Sequence, residues 1–267
     1  MKRLKITAIV FTILAFVSCK QNETKTDTET TVTTITDVIE KPTTTDFKIT
    51  PISHASTVIE WDDKVMYIDP VGQPEAYADH KNPDVILITD IHGDHLNPKT
   101  LEGLSIDKAT FMVPQAVADK MPETLKEKAK LMIINNDEVK ELEGFSITAV
   151  PMYNLRKEDL NKHIKGRGNG YVIEKEGKRV YFSGDTEDIP EMRQLKNIDM
   201  AFVCMNLPYT MTVDSAADAV LEFKPKQVYP YHYRGQDGLS DVVKFKELVN
   251  TGDKNIEVIQ LDWYPSI

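Results

Sequence analysis

The stretch Thr89 to His95 reads T-D-I-H-G-D-H and brings Asp90, His92, Asp94 and His95 within six residues. It follows the apolar run Val85-Ile86-Leu87-Ile88, which reads as a buried strand. Carboxylates and imidazoles crowded onto one turn repel or need compensation on burial unless a cation sits among them. Imidazole with carboxylate suits zinc, iron or manganese. The plainer alternative is a polar strand-to-helix turn in which Asp94 caps the next helix. The metal reading is preferred because similar residues recur past other apolar runs. Phe145 to Val150 closes in Pro151-Met152-Tyr153-Asn154, Arg179 to Phe182 in Ser183-Gly184-Asp185-Thr186, and Gln227 to Tyr231 in His232. Strands often end in polar turns, but the coincidence of ligand-type residues points to one shared edge, where an open α/β sheet holds its ligand.

The elements that must position these residues begin at Phe47. Strands are expected over Phe47–Ile52, Ser56–Trp61, Val65–Ile68, Val85–Thr89, Ala109–Val113, Leu131–Ile134 and Phe145–Val150. Tyr171–Lys175 and Arg179–Phe182 form a hairpin around Glu176-Gly177-Lys178. Helices are expected over Pro98–Leu104, after Pro114, and over Ile189–Leu195, Val213–Phe223 and Ser240–Val249. Strands Met200–Cys204, Gln227–Tyr231 and Ile256–Leu261 alternate with the later helices. Two sheets flanked by helices follow, as one α/β domain over residues 47–267 with no internal repeat.

The chain has 267 residues and a formal net charge of −10. That acidity argues against nucleic acid as a partner. Two cysteines, Cys19 and Cys204, make no disulfide framework, and Cys204 reads as a buried core thiol. Lys2, Arg3 and Lys5 precede an apolar segment, Ile6 to Val17, too short for a comfortable membrane span. It ends in Ala15-Phe16-Val17-Ser18-Cys19, which resembles a bacterial lipobox. That resemblance implies a signal peptide over 1–18, a lipidated Cys19 and a cell-envelope location facing the periplasm or the cell surface, the alternative being an ordinary signal peptide or an uncleaved anchor. Residues 20–46 hold eleven threonines and few large apolar side chains, the composition of a disordered tether.

The order of motifs in the folded part resembles the metallo-β-lactamase fold, a hydrolase superfamily with a four-layer αββα sandwich. The family's H-x-H-x-D-H is matched by His92, Asp94 and His95, with Asp90 in place of the first histidine. Its later bridging aspartate corresponds to Asp185 in S-G-D-T and its last histidine to His232 in Y-P-Y-H-Y. Asp69 in I-D-P also resembles the family, and Ser53-His54-Ala55-Ser56 is similar to the subgroup containing ascorbate-6-phosphate lactonase. The resemblance implies one or two divalent ions, zinc or manganese. One site would comprise Asp94, His95, Asp185 and His232. The other would comprise Asp90, His92 and the shared Asp185, with Asn154 a weak oxygen ligand where the family has a third histidine. His163 either replaces that imidazole, contacts substrate or is merely exposed.

The chemistry implied is metal-assisted hydrolysis, in which a bound cation makes hydroxide available near neutral pH. Asp94 would orient that hydroxide and help move its proton, and His54 would contact the developing anion or pack behind the site. The loop Asn154 to Gly170 carries Arg156, Lys157, Lys162, Lys165 and Arg167 against Glu158 and Asp159. It reads either as an anion-attracting loop, with Lys165 and Arg167 binding substrate and Gly166, Gly168 and Gly170 opening backbone N–H groups, or as a solvated surface loop. Asn206 and Tyr209 follow a strand at the active edge and are candidates for the pocket wall. The leading expectation is an enzyme acting on a small anionic ester, lactone or phosphodiester. The competing ones are a non-catalytic metal- or ligand-binding lipoprotein and a nuclease or other phosphodiesterase, the acidic balance arguing against long nucleic acids.

Overall fold

The computed structural model describes residues 46–264. The expected leader, Cys19 and nearly all of the expected tether lie outside the described residues. Among the described residues no helix is long and apolar enough to cross a membrane.

The first sheet takes β1 (Phe47–Ser53), β2 (Ser56–Trp61), β3 (Lys64–Ile68), β4 (Val85–Leu87), β5 (Thr110–Val113) and β6 (Lys130–Ile133), in that spatial order. The strands β1 to β3 form an antiparallel meander, and β4, β5 and β6 add in parallel. The second sheet starts with the antiparallel β7 (Val139–Leu142), β8 (Phe145–Met152), β9 (Gly168–Lys175) and β10 (Lys178–Phe182). It continues in parallel through β11 (Met200–Cys204) and β12 (Gln227–Tyr231). After a small hairpin of β13 (Arg234–Gly235) and β14 (Gly238–Leu239), β15 (Glu257–Val258) completes it in parallel. Both halves thus run from meander to parallel strands, a repeat of topology that the sequence does not display.

Helices α1 (Pro98–Gly103), α2 (Gln115–Lys120) and α3 (Glu123–Lys126) cover the first sheet. The short α4 (Pro190–Arg193) precedes α5 (Val213–Phe223) and α6 (Val242–Gly252), which pack against the second. The strand β4 shows why this requires an unbroken apolar run. Val85 and Leu87 enter the core between the sheets, with Ile147, Ala149 and Tyr171. Ile86 and Ile88 enter the outer core with Leu101, Val117 and Leu125. A parallel strand buried on both faces has no polar side to alternate with. Helix α5 buries Ala216, Ala217, Val220 and Phe223, and is started by Thr212, whose hydroxyl accepts from Ser215 N at 3.0 Å.

The sheets are stitched together where β4 ends. Tyr171 Oη donates to Ile88 O at 2.9 Å and Asn169 N donates to Thr89 O at 2.9 Å. This proximity accounts for two glycines. A Cβ on Gly168 would lie 2.7 Å from Thr89 O, and one on Gly170 would lie 2.8 Å from the carbonyls of Phe182 and Ser183. Both belong to β9, so they serve close packing of strands and not an anion nest. The expected strand from Tyr171 therefore begins three residues earlier, at Gly168. The strand expected over Ile256–Leu261 shrinks to Glu257–Val258, and β7 and the β13–β14 hairpin arise where no strand was expected.

Candidate metal centre

His95 is fixed from behind. Its Nδ1 lies 2.9 Å from Asp69 Oδ2 and 3.0 Å from Thr89 Oγ1, while Asp69 also accepts from Thr89 N at 2.7 Å and Thr89 Oγ1 at 2.6 Å. All three residues are fully buried. A carboxylate on one imidazole nitrogen fixes the tautomer and leaves Nε2 as a lone-pair donor aimed forward. Asp69, which follows β3, thus has a positioning role that its I-D-P context hinted at only through the family resemblance.

Forward of His95 stands Asp185, delivered by the turn after β10. Its Oδ2 is 3.4 Å from His95 Nε2 and 3.2 Å from His163 Nε2, and its Oδ1 is 3.2 Å from His232 Nε2. His232 Nε2 also lies 3.4 Å from Asp94 Oδ2. Two groups of donor atoms result. Asp94, His95 and His232 form one, Asp90, His92 and His163 the other, and Asp185 stands between them.

The second group differs from the expectation at one position. Asn154 follows β8 as anticipated, but its amide is occupied: Nδ2 donates to Tyr209 O at 2.8 Å and to Glu187 Oε1 at 3.2 Å. Its Oδ1 accordingly accepts from His163 Nδ1 at 2.6 Å. Asn154 is therefore not arranged as an oxygen ligand; it does for His163 what Asp69 does for His95. The missing third imidazole is supplied by His163, nine residues further on, brought back because Asn154 N bonds His163 O at 3.0 Å.

Arg167 and Lys165 also stand elsewhere than the sequence suggested for substrate-binding residues. Arg167 donates through Nε to Asp90 Oδ1 and through Nη2 to Asp90 Oδ2, both at 3.2 Å, and Asp90 Oδ2 is 2.6 Å from His92 Nδ1. Its charge is used inside the protein. Lys165 pairs with Glu191 at 2.6 Å and sits over the Tyr153 ring. Most of the loop's apparent positive charge is likewise neutralised, with Arg156 on Glu187 and Asp159, and Lys162 on Asp159. Glu187, which sequence reasoning passed over, also accepts from Leu155 N and Arg156 N and so anchors the start of this loop.

Asn206 and Tyr209 do reach the pocket. A cavity of about 420 Å³ is lined by His92, Asp94, Lys162, His163, Asp185, Asn206 and Tyr209. His54 lies behind His232, with ring centroids 5.9 Å apart, its Nδ1 2.8 Å from Ser53 Oγ and its ring 5.4 Å from that of Tyr264. It packs as a support for His232, whose N–H bonds His54 O at 3.1 Å. Burial, then the neighbouring His232, lowers the His54 pKa. Cys204 is buried, and burial pushes its thiol up to about 11, as suits a core residue. His80, far from this centre in sequence, is half-buried with Nδ1 unpartnered.

The electrostatics fit a cation. Burial alone would raise Asp90, yet the hydrogen bond with His92 and the charges of His95, His92 and Arg167 outweigh it and hold the carboxyl at about 2. Asp185 and Asp94 are also pulled below the ordinary range against burial, Asp185 chiefly by His232 and His95, Asp94 by its hydrogen bond with His232. Burial opposes a proton on His95, but Asp185 and Asp69 keep its pKa well above the usual value. A proton on His95 thus helps balance the carboxylates, and a bound divalent ion would displace it. Geometry agrees: His95 Nε2 and Asp185 Oδ1 are buried and complete no hydrogen bond despite having polar neighbours at 3.2 to 3.4 Å. Converging lone pairs without hydrogen bonds suit metal ligation.

Comparison with known proteins gives the same direction. The beta-lactamase superfamily domain model matches residues 48–232. The chain is 33% identical over 217 residues to a metal-dependent hydrolase of Pyrococcus abyssi, covering 78% of this chain and 93% of that protein. The crystal structure of a candidate metal-dependent hydrolase from Parabacteroides distasonis superposes with a TM-score of 0.70 at 36% identity, over 80% of this chain and 92% of that one. Igni18, a metallo hydrolase from Ignicoccus hospitalis, shares the fold with a TM-score of 0.68 at 24% identity, over 81% and 95% of the two chains. The chain belongs to the beta-lactamase superfamily and, within it, to the UPF0173 metal-dependent hydrolase family.

Proposed function

We propose that this protein hydrolyses a small anionic ester, lactone or phosphodiester with two divalent cations, zinc or manganese. One cation would be held by Asp94, His95 and His232, the other by Asp90, His92 and His163, with Asp185 shared. The observation that carries this reading is Asp185 itself: buried, and within 3.2 to 3.4 Å of three imidazole nitrogens drawn from both groups. Bound there, a divalent ion supplies an acidified water and an electrophile for the substrate oxygen.

The chain's own residues define the rest. Asp94 is the half-exposed carboxylate facing the cavity, with its pKa depressed, so it is ionised and able to orient a water and take up its proton. Asn206 in the cavity wall presents a donor to a carboxylate or phosphate, and Lys162, which spends two of its three N–H groups on Asp159 and Pro208 O, keeps one for the same anion. His54 and Asp69 hold His232 and His95 from behind. A lactone remains within the class, in keeping with the Ser53-His54-Ala55-Ser56 motif.

The test is metal content per chain, by elemental analysis, together with turnover of bis(p-nitrophenyl) phosphate, a p-nitrophenyl ester and a lactone. Two equivalents are expected, one in His232→Ala and fewer than one in Asp185→Ala. Two tightly held equivalents with no turnover of any of the three would favour the alternative of a non-catalytic metal-binding lipoprotein.

A further inference from the structure

Among the described residues, five of the eight exposed large apolar side chains lie in the two segments that supply Lys162, His163, Asn206 and Tyr209 to the cavity wall. Leu155, Leu160, Ile164, Leu207 and Tyr209 are 37% to 52% exposed, and the other three such residues are Val139, Leu239 and Val243. The five lie in two short segments. One runs from Asn154 to Lys165 and contains His163; the other follows Asn206. These segments form one surface. Pro208 O accepts from Arg156 Nη2 and from Lys162 Nζ, each at 3.0 Å, and Tyr209 O accepts from Asn154 Nδ2 at 2.8 Å. The β13–β14 hairpin, which carries Leu239, joins the same surface through Gln236 N donating to Leu207 O at 2.9 Å.

Scattered single apolar residues on a surface are ordinary, but a cluster beside a polar cavity marks a binding site. Tyr209 belongs both to the apolar rim and to the cavity wall, and Lys162 Nζ lies 5.3 Å from its ring centroid, joining a cation to the apolar surface. The apolar surface and the cavity meet at Tyr209, so a substrate seated in the cavity can extend outward from the reacting bond onto that surface.

We propose that the substrate is an anionic amphiphile, with its carboxylate or phosphate inside the cavity and an alkyl or aryl group on the Leu155, Leu160, Ile164, Leu207 and Tyr209 rim. This rests on the hydrolase reading above and narrows it, away from wholly hydrophilic sugar derivatives. The reaction stays the same. A water oxygen bonds to the acyl carbon or phosphorus, the bond to the leaving oxygen breaks, and the water proton ends on that oxygen.

The test separates the rim from the chemistry. Butyl-, hexyl- and octylphosphonic acid, each below its micelle concentration, are titrated calorimetrically into the metal-loaded full chain. Hydrolysis of p-nitrophenyl acetate, butyrate and octanoate is followed in parallel. Binding should tighten by roughly twofold per methylene, less than complete burial of a methylene gives, because the rim stays partly open. The Leu160→Ser/Ile164→Ser variant should flatten the binding series while keeping the metal content of the wild type. Equal affinity for butyl- and octylphosphonic acid, or an undiminished slope in the variant, would overturn the proposal. So would binding to phosphatidylglycerol vesicles without binding to the monomers. A retained slope with no hydrolysis of any ester would remove the hydrolase reading and leave the amphiphile site standing.

Discussion

Asn154 Oδ1 accepts a hydrogen bond from His163 Nδ1 at 2.6 Å, and this fixes which nitrogen of His163 faces Asp185. Asn154→Leu leaves the ring free to turn and to change tautomer. Loss of such a supporting partner typically costs 10- to 100-fold in metal affinity, on the order of the effect expected here. Chelator-competition titration would measure it on one of the two equivalents. Equal affinities for wild type and variant would refute the positioning role.

Arg167 bonds both oxygens of a fully buried Asp90. Removing one partner of a buried pair costs about 3–5 kcal/mol because the remaining charge is uncompensated. In Arg167→Met a bound divalent ion would restore that compensation. The variant should therefore lose most stability when metal-free and distinctly less when loaded, as read from urea unfolding with and without chelator. Identical losses in both states would count against Asp90 as a metal ligand.

The depressed Asp90 carboxyl makes a signed prediction for acid stability. Its folded pKa of about 2 lies below the ordinary 3.8, so the contribution is complete above pH 4 and is lost as pH falls towards 2. The size is about 2 kcal/mol at 1.36 kcal/mol per pH unit. Asp94 and Asp185 act in the same direction. Metal-free Asp90→Asn should lose less stability over this range than metal-free wild type; parallel curves would contradict the assignment.

Gly166 and Gly170 should respond to substitution for different reasons. A Cβ on Gly166 meets open space but the backbone has φ +88°, so alanine there costs about 1 kcal/mol through strain alone. Gly170→Ala drives a methyl against two carbonyls and should cost about 1–3 kcal/mol or more. Chemical denaturation ranks them. If Gly170→Ala instead left stability intact and abolished binding of inorganic phosphate, the anion-nest reading of this glycine run would return.

The lipobox-like Ala15 to Cys19 supports a proposed lipid anchor in the cell envelope. Labelled palmitate should be incorporated into the full chain and not into Cys19→Ala, with the variant leaving the membrane fraction. Equal labelling would exclude Cys19 as the modified residue.

The first motif, Asp185 and His232 were legible because each directly follows an apolar strand, so local pattern carries the position. Asn154 and His163 were not resolved, since which of the two faces the centre depends on partners far along the chain, Tyr209 O and Glu187. The charged loop misled for the same reason. Its basic residues look free in one dimension, but Asp90 and Glu191, which neutralise Arg167 and Lys165, lie far away in sequence. Strand β7 was missed because its exposed Val139 and Glu141 give it only a weak apolar pattern. The short β15 was overdrawn because the apolar run continues past its last paired residue.

The hydrogen bonds from Tyr171 Oη to Ile88 O and from Asn169 N to Thr89 O join the two sheets beside the donor cluster. Sliding one sheet along the other would break both where they are shielded from water. The cluster is consequently part of the rigid frame, set before any substrate arrives.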